Sequence, residues 1–430
     1  MAGKYPIGDT TPEGLDTNNS ILSQDRCPHD WYRFILSFPP HLVRHYLADF
    51  GAKKGDWLID PFEGTGTTVV EGKKLGLNVI GLEANPVCQF ASKVKLNWNV
   101  DVGNLERAIL LTQKKYKKLN SDPDILPKMP EDQHKLLIKN SISDLILSKC
   151  LLLKQIIDKS RSEKGVKEIQ LLGVARTAMA LSNLKFAPEV SLKNEKKWTH
   201  DANVIQVWAD IVEQMNLDLI ELQNLENTRS GKSILVDSRK NPTEIEENSI
   251  DFLFTSPPYP NEKDYTRTTR LESVLLDFFT DRKKLYMLKK GLICSNTRAI
   301  HTDDDDGEQI MHLEEITKIA AEIERRRIEQ GKTSGFEKLF HKVVLHFFGG
   351  MRIHLVEMEK LMKPGGLMGY VVGDQTSFFR VPIPTGKLLA LVAEDVGLEI
   401  VRIDLFRKRA ATKLRTTIRE EVVILRKPKA

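Results

Sequence analysis

Cysteine is scarce. Cys27, Cys88, Cys150 and Cys294 are the four in 430 residues, and no two of them form a Cys-x-x-Cys pair. Neither a disulfide framework nor a structural zinc site is expected, and scattered single thiols suit a reducing cytoplasm. Long apolar runs are lacking as well: none approaches the roughly 20 uncharged residues that cross a bilayer. Residues 1–19 are polar with Gly and Pro rather than charged and then apolar, so neither membrane insertion nor secretion is expected. No sign of charge is in large excess. The 64 Lys plus Arg against 59 Asp plus Glu leave a net +5, which permits a polyanionic partner without requiring one. With 41% hydrophobic residues the chain is no disordered polyelectrolyte, and its length allows one large elaborated domain or two to three smaller ones.

The apolar segment at 57–60, the Gly-containing turn at 61–68 and the apolar-periodic stretch at 69–75 predict strand, turn and helix. A second strand is predicted at 78–82, ending on Glu83, so the unit is a parallel, right-handed βαβ crossover. The fold class predicted is α/β, a doubly wound and mostly parallel sheet. Further strands are predicted at 233–236, 251–255 and 367–372, and the segments 399–406 and 421–425 predict an antiparallel hairpin on the sheet edge. Between them, about 100–230 has helical spacing in pieces at 109–116, 134–157, 169–181 and 204–225, with no strand signal. That length exceeds any ordinary loop, so it reads as an inserted helical subdomain available for target recognition. A second insertion, 281–335, carries four aspartates at 303–306, read as a solvated loop rather than a cation site. It continues into an amphipathic helix with Ile310, Leu313, Ile316, Ile319 and Ile323 on one face. The resulting segments are 1–99, 100–230, 231–280, 281–335 and 336–430.

Two turns carry chemistry. The first is Asp60-Pro61-Phe62-Glu63-Gly64-Thr65-Gly66-Thr67-Thr68, where two glycines after a strand let the backbone approach a ligand. Val69 stands where the dinucleotide fingerprint needs its third glycine, and no phosphate-loop pattern can be threaded through it. What remains is a nucleoside-like cofactor without phosphates, whose ammonium suits Asp60. Glu83 is placed to accept hydrogen bonds from a ribose diol, or is simply a capping acid. The second turn is Thr255-Ser256-Pro257-Pro258-Tyr259, directly after an apolar strand. Its prolines remove backbone donors and leave carbonyls outward, with a hydroxyl before them and a ring after. An amino group on a nucleobase could be held there by Ser256 Oγ and the Pro257 carbonyl while the base stacks on Tyr259.

Together these turns resemble the cofactor and catalytic motifs of the S-adenosylmethionine-dependent DNA amino-methyltransferases, which make N4-methylcytosine or N6-methyladenine. Phe38-Pro39-Pro40-His41-Leu42-Val43 resembles the family segment at the methionine end of the cofactor. Asp237, in Val236-Asp237-Ser238-Arg239, resembles the acid that holds the cofactor adenine's amino group. The resemblance covers about 29–99 and 231–279, and more loosely 340–427. It implies a class I methyltransferase fold, S-adenosylmethionine as cofactor, double-stranded DNA as substrate and base flipping. A cognate restriction endonuclease in a bacterial modification or defence setting is implied with them. Ser before the two prolines is commoner in cytosine-N4 enzymes, and Asp or Asn in adenine-N6 enzymes, so N4 is favoured. Methylation at cytosine C5 needs a Pro-Cys nucleophile, and the chain has no such dipeptide.

Arg267, Arg270, Arg407, Lys408, Arg409, Lys413 and Arg415, the last five at the hairpin tip, suit DNA phosphate contacts, or for the tip plain solvation. Three readings compete with cytosine N4: adenine N6, an RNA base amino-methyltransferase, and a nucleic-acid-binding protein of this fold without catalysis.

Overall fold

In the computed structural model the described residues are 5–33, 37–120, 126–186, 190–225, 229–240, 242–410 and 417–429. The apolar segments assemble into one seven-stranded sheet: β1 (Trp57–Asp60), β2 (Asn78–Glu83), β3 (Gly231–Leu235), β4 (Ile250–Thr255), β5 (Met362–Gly373), β6 (Glu399–Ala410) and β7 (Thr417–Arg426). Their spatial order is 3-2-1-4-5-7-6. β1 is buried at its last three residues, and a strand apolar on both faces must lie inside a sheet. It pairs in parallel with β2 on one side and β4 on the other. β7 runs antiparallel between β5 and β6, as the predicted hairpin requires. The outer side of β6 is partly covered by the N-terminal segment, where Gly8 N donates to Ile403 O at 2.8 Å.

Helices follow in chain order: α1 (Pro40–Asp49), α2 (Thr67–Lys74), α3 (Pro86–Leu96), α4 (Val102–Leu119), α5 (Asp144–Asp158), α6 (Lys164–Leu181), α7 (Val204–Gln223), α8 (Arg282–Lys290), α9 (Glu314–Glu329), α10 (Phe340–Leu361) and α11 (Thr385–Asp395). On α10, Val344, Phe348, Met351, Leu355 and Met358 recur at three- and four-residue spacing and share one buried cluster with Ile59, Leu253 and Met368 of the sheet. Burying each is worth roughly 1.5–3 kcal/mol. The opposite face is covered by Leu42, Val43 and Tyr46 of α1 and Val69 and Val70 of α2. A third cluster joins α4 to α7 and includes Trp31, Tyr32 and Ala91. Among the described residues no helix is long and apolar enough to cross a membrane.

Three expectations are corrected. The piece at 134–157 is not one helix: Asn140 takes a φ of +62°, and Ser143 starts α5 by accepting from Ile146 N at 3.3 Å. The stretch at 100–230 is not free of strand, because Leu184–Lys185 pairs with Ser191–Leu192 in a ribbon too short for periodicity to reveal. The aspartates at 303–306 are only half a solvated loop: Asp303 and Asp305 are exposed, but the other two turn inward. Asp306 is buried and meets Arg239, and Asp304 faces His346 at 3.3 Å.

Candidate functional site

The strand order reverses between β1 and β4, so the turns leaving their carboxyl ends diverge and open a crevice. Both sequence motifs are these turns, and a cavity of about 310 Å³ lies between them. In the first, Gly64 and Gly66 take φ of +52° and +90°. A Cβ on Gly66 would come within 2.6 Å of Ser92 Oγ, so the turn packs onto α3 where no side chain fits.

Buried acids brace this turn. Glu83 accepts from Gly64 N at 2.9 Å and from Asn85 N at 2.7 Å, so it ties the turn together while lining the cavity. Glu63 also lines the cavity and accepts from Ser92 Oγ at 2.7 Å and from Ser233. From beneath, the buried Lys95 donates to Thr65 O at 2.9 Å. Burial pushes the Glu83 carboxyl up to about 7 and holds that of Glu63 well above the usual carboxylate range.

Asp60 sits beneath the cavity wall. Its Oδ1 accepts from Phe62 N at 3.1 Å and from Thr255 Oγ1 at 2.5 Å, and its Oδ2 is buried with no hydrogen-bond partner. Burial pushes this carboxyl to about 7 as well. Pro61, Phe62, Gly64 and Thr67 line the cavity, as does Phe38, whose ring meets Phe254 edge-on at 5.9 Å. Pro39 caps α1 and Thr68 is buried in α2. Asp237 lines the cavity as well, clasped by Arg239 Nε and Nη2 at 3.0 and 2.8 Å. Arg239 Nη1 reaches on to Asp306 at 2.5 Å, so the second insertion braces the acid beside the cavity. Ile293 of the same insertion supplies wall.

In the second turn Ser256 Oγ donates to Val371 O at 3.0 Å and lies 3.4 Å from the Tyr259 hydroxyl. Ser256, Pro257, Pro258 and Tyr259 all face the cavity. Tyr259 N–H points to the Tyr265 hydroxyl at 3.4 Å, and burial pushes the Tyr259 phenol up to about 12.

The cations expected on DNA separate. Arg267 and Lys408 are exposed. Arg270 turns inward, donating to Thr266 O at 3.2 Å, Thr266 Oγ1 at 3.1 Å and Leu136 O at 3.4 Å, so it braces protein where a phosphate contact was expected. Arg407 and Arg409 line the cavity and pair with Glu420, at 2.5 and 3.1 Å, because side chains alternate along β6. Lys413 and Arg415 lie outside the described residues.

A DNA methylase family model matches residues 17–93, which hold the glycine turn and Glu83. The chain is 25% identical to the type II methyltransferase M.BsoBI of Geobacillus stearothermophilus, over 93% of this chain and 86% of that protein. It is 22% identical to the type II methyltransferase M.AvaI of a Nostoc species over the same shares, and 24% identical to M.MvaI of Kocuria varians over 87% and 82%. The chain is similar to the DNA amino-methyltransferases. Its sheet, with one antiparallel strand inserted near the edge, is the class I methyltransferase arrangement. S-adenosylmethionine is the methyl donor.

The residues present fit that cofactor. Glu63, Glu83 and Asp237 all line the cavity, and Asp60 below has an unused buried oxygen. Such a wall favours a cationic nucleoside and opposes a phosphate. Glu63 stands within the glycine motif, where an acid among small residues could have been noticed. Thr255, Ser92, Lys95 and Arg239 became visible only when distant segments met.

Proposed function

We propose that this protein transfers the methyl group of S-adenosylmethionine to the exocyclic N4 amine of cytosine in double-stranded DNA, site-specifically and beside a cognate restriction endonuclease. The carrying observation is the bond from Ser256 Oγ to the Val371 carbonyl at 3.0 Å. With its one proton committed there, the hydroxyl oxygen offers lone pairs to the cavity, which suits the N–H of an amine. The Pro257 carbonyl is the second acceptor, and Tyr259 is the surface on which the flipped base stacks, flipping costing a few kcal/mol.

The amine of cytosine is conjugated with its ring and is a weak nucleophile. Ser256 and Pro257 draw it toward tetrahedral geometry and orient its lone pair, so their contribution is positioning and electrostatics. S-adenosylmethionine, when bound, supplies a methyl group already activated by sulfonium charge. Around it, Glu83 would take the ribose hydroxyls, Asp237 the adenine amino group and Phe38 the methionine end, with Gly64, Gly66, Pro61, Phe62 and Thr67 shaping the turn. Asp60 adds negative charge below. Arg267 and Lys408 are assigned to phosphates, and the helices at 100–230 to target recognition.

The test is to incubate the protein with labelled S-adenosylmethionine and unmethylated DNA, then identify the labelled nucleoside by mass. N4-methyldeoxycytidine is expected. N6-methyldeoxyadenosine would replace the base while keeping the mechanism, and label in RNA alone would overturn the assignment to DNA.

A further inference from the structure

Val371 and Gly373 stand two residues apart on β5, roughly 7 Å by strand rise. At the first, Ser256 Oγ meets the backbone carbonyl. At the second, Tyr259 Cε2 and Glu420 Cγ both close on the glycine, 3.5 and 3.4 Å from where a Cβ would be. Glu420 on β7 lies opposite Gly373 on one side and Arg407 of β6 on the other. Its two carboxylate oxygens face two guanidinium groups: Oε2 accepts from Arg407 Nε at 2.5 Å, and Oε1 lies 3.1 Å from Arg409 Nε as an ion pair without hydrogen-bond alignment. Both guanidiniums line the same cavity as Ser256 and Tyr259, while Lys408 between them is exposed. Among the described residues, neither has a protein hydrogen-bond acceptor on its Nη groups.

We propose that Arg407 and Arg409, aimed by Glu420, read the flipped base by donating to the O2 and N3 acceptors of cytosine, and that they select cytosine over adenine. The inference rests on the proposed base-methyltransferase reading and adds the groups that choose the base. Cytosine presents two adjacent acceptors beside its amine, N3 and O2. Adenine presents N1 alone, followed by a C–H. A planar guanidinium fork matches a pair of adjacent acceptors and leaves a donor unpaired against a single one. A phosphate contact would leave these arginines on the outer surface with Lys408. Their place on the cavity wall, on β6 and paired with the Glu420 that packs on Gly373 beside Tyr259, puts them on the base instead.

The experiment uses the full chain, S-adenosylmethionine and unmethylated phage DNA. The wild-type product nucleoside first tests the underlying reading: adenine product, or no transfer, fails that reading and this inference with it. Given N4-methylcytosine, Arg407→Lys and Arg409→Lys keep the charge and the Glu420 pair but lose the fork. Each is expected to lower kcat/KM at least about tenfold, the discrimination typical of one bidentate base contact. Cofactor affinity and the salt dependence of DNA binding should stay unchanged. Arg407→Met and Arg409→Met should do the same, with measurable N6-methyladenine as a side product. If the lysine variants turn over at the wild-type rate, or if each methionine variant flattens the salt slope by about one charge with kcat intact, the arginines are phosphate contacts and the proposal is overturned.

Discussion

Thr255 donates its hydroxyl to Asp60 Oδ1 at 2.5 Å, joining the last residue of β4 to the last residue of β1. The two motif turns thus begin from one hydrogen bond between neighbouring strands. Thr255→Val keeps the shape and removes the donor, leaving a buried carboxylate oxygen with the Phe62 N–H alone. A buried group losing a charged hydrogen bond costs about 1–3 kcal/mol. Cofactor affinity measured by calorimetry should fall by that order, with a smaller change in kcat at saturating cofactor.

The acids of the cofactor wall set a pH dependence. Burial raises Asp60 and Glu83 to about 7, so in the free protein both hold protons below that pH. A bound cation favours their ionised forms. Cofactor affinity should therefore rise with pH through about 7 and level off above it, with a slope up to about tenfold per pH unit for each group that must ionise. Stability of the free protein runs the other way. An acid whose folded pKa is raised stabilises the fold at low pH, and that contribution is lost as pH rises from about 4 toward 7. Titrating binding and thermal midpoint in the wild type and in Glu83→Gln checks both signs, since the variant should show a shallower slope in each.

Ser256 and Tyr259 come from the Ser-Pro-Pro-Tyr turn, whereas the cofactor acids come from other segments of the cavity wall, so binding and turnover should separate. Ser256→Ala and Tyr259→Ala are expected to lower kcat about a hundredfold or more, within the range for lost orienting and electrostatic groups. Cofactor affinity should change less than about threefold. Tyr259→Phe keeps the stacking surface and should retain most of the turnover, because its hydroxyl makes only a 3.4 Å contact with Ser256. Stopped-flow single turnovers with DNA in excess would separate chemistry from binding.

The second insertion should act on cofactor binding through one ion-pair relay. Asp306 holds Arg239, which clasps Asp237, and Asp306 reaches that place by passing against α10. A Cβ on Gly349 would fall 1.7 Å from the Asp306 carbonyl oxygen, so Gly349→Ala must displace the loop. Asp306→Asn is expected to weaken cofactor binding a few-fold. Gly349→Ala should weaken it more and also lower the thermal midpoint, which differential scanning calorimetry would read.

Much of the architecture was legible because β1, β2 and β4 are short apolar runs that end in glycine or proline turns, and period and punctuation are local properties. The C-terminal strands are longer than the apolar runs predict, because β6 extends to residue 410 through three consecutive cations, Arg407, Lys408 and Arg409. Alternation is why Arg407 and Arg409 could not be told from Lys408: a one-residue step reverses the face, and which face is the inside depends on the neighbouring strand. The inward turn of Arg270 is hidden from the sequence for a related reason, since its acceptors include Leu136 O, 134 residues away.

By itself the sequence determined the strand-turn-helix units, the glycine turn that excludes a dinucleotide, and the Ser-Pro-Pro-Tyr turn with its acceptor chemistry. Each depends on residues within a few positions of one another. Tertiary structure alone decided that Thr255 bonds Asp60, that Arg239 ties an insertion to Asp237, and that two arginines face inward beside Tyr259. Those relationships join segments up to 195 residues apart, and a partner at that distance is chosen by sheet order and register, which only the folded chain brings into being.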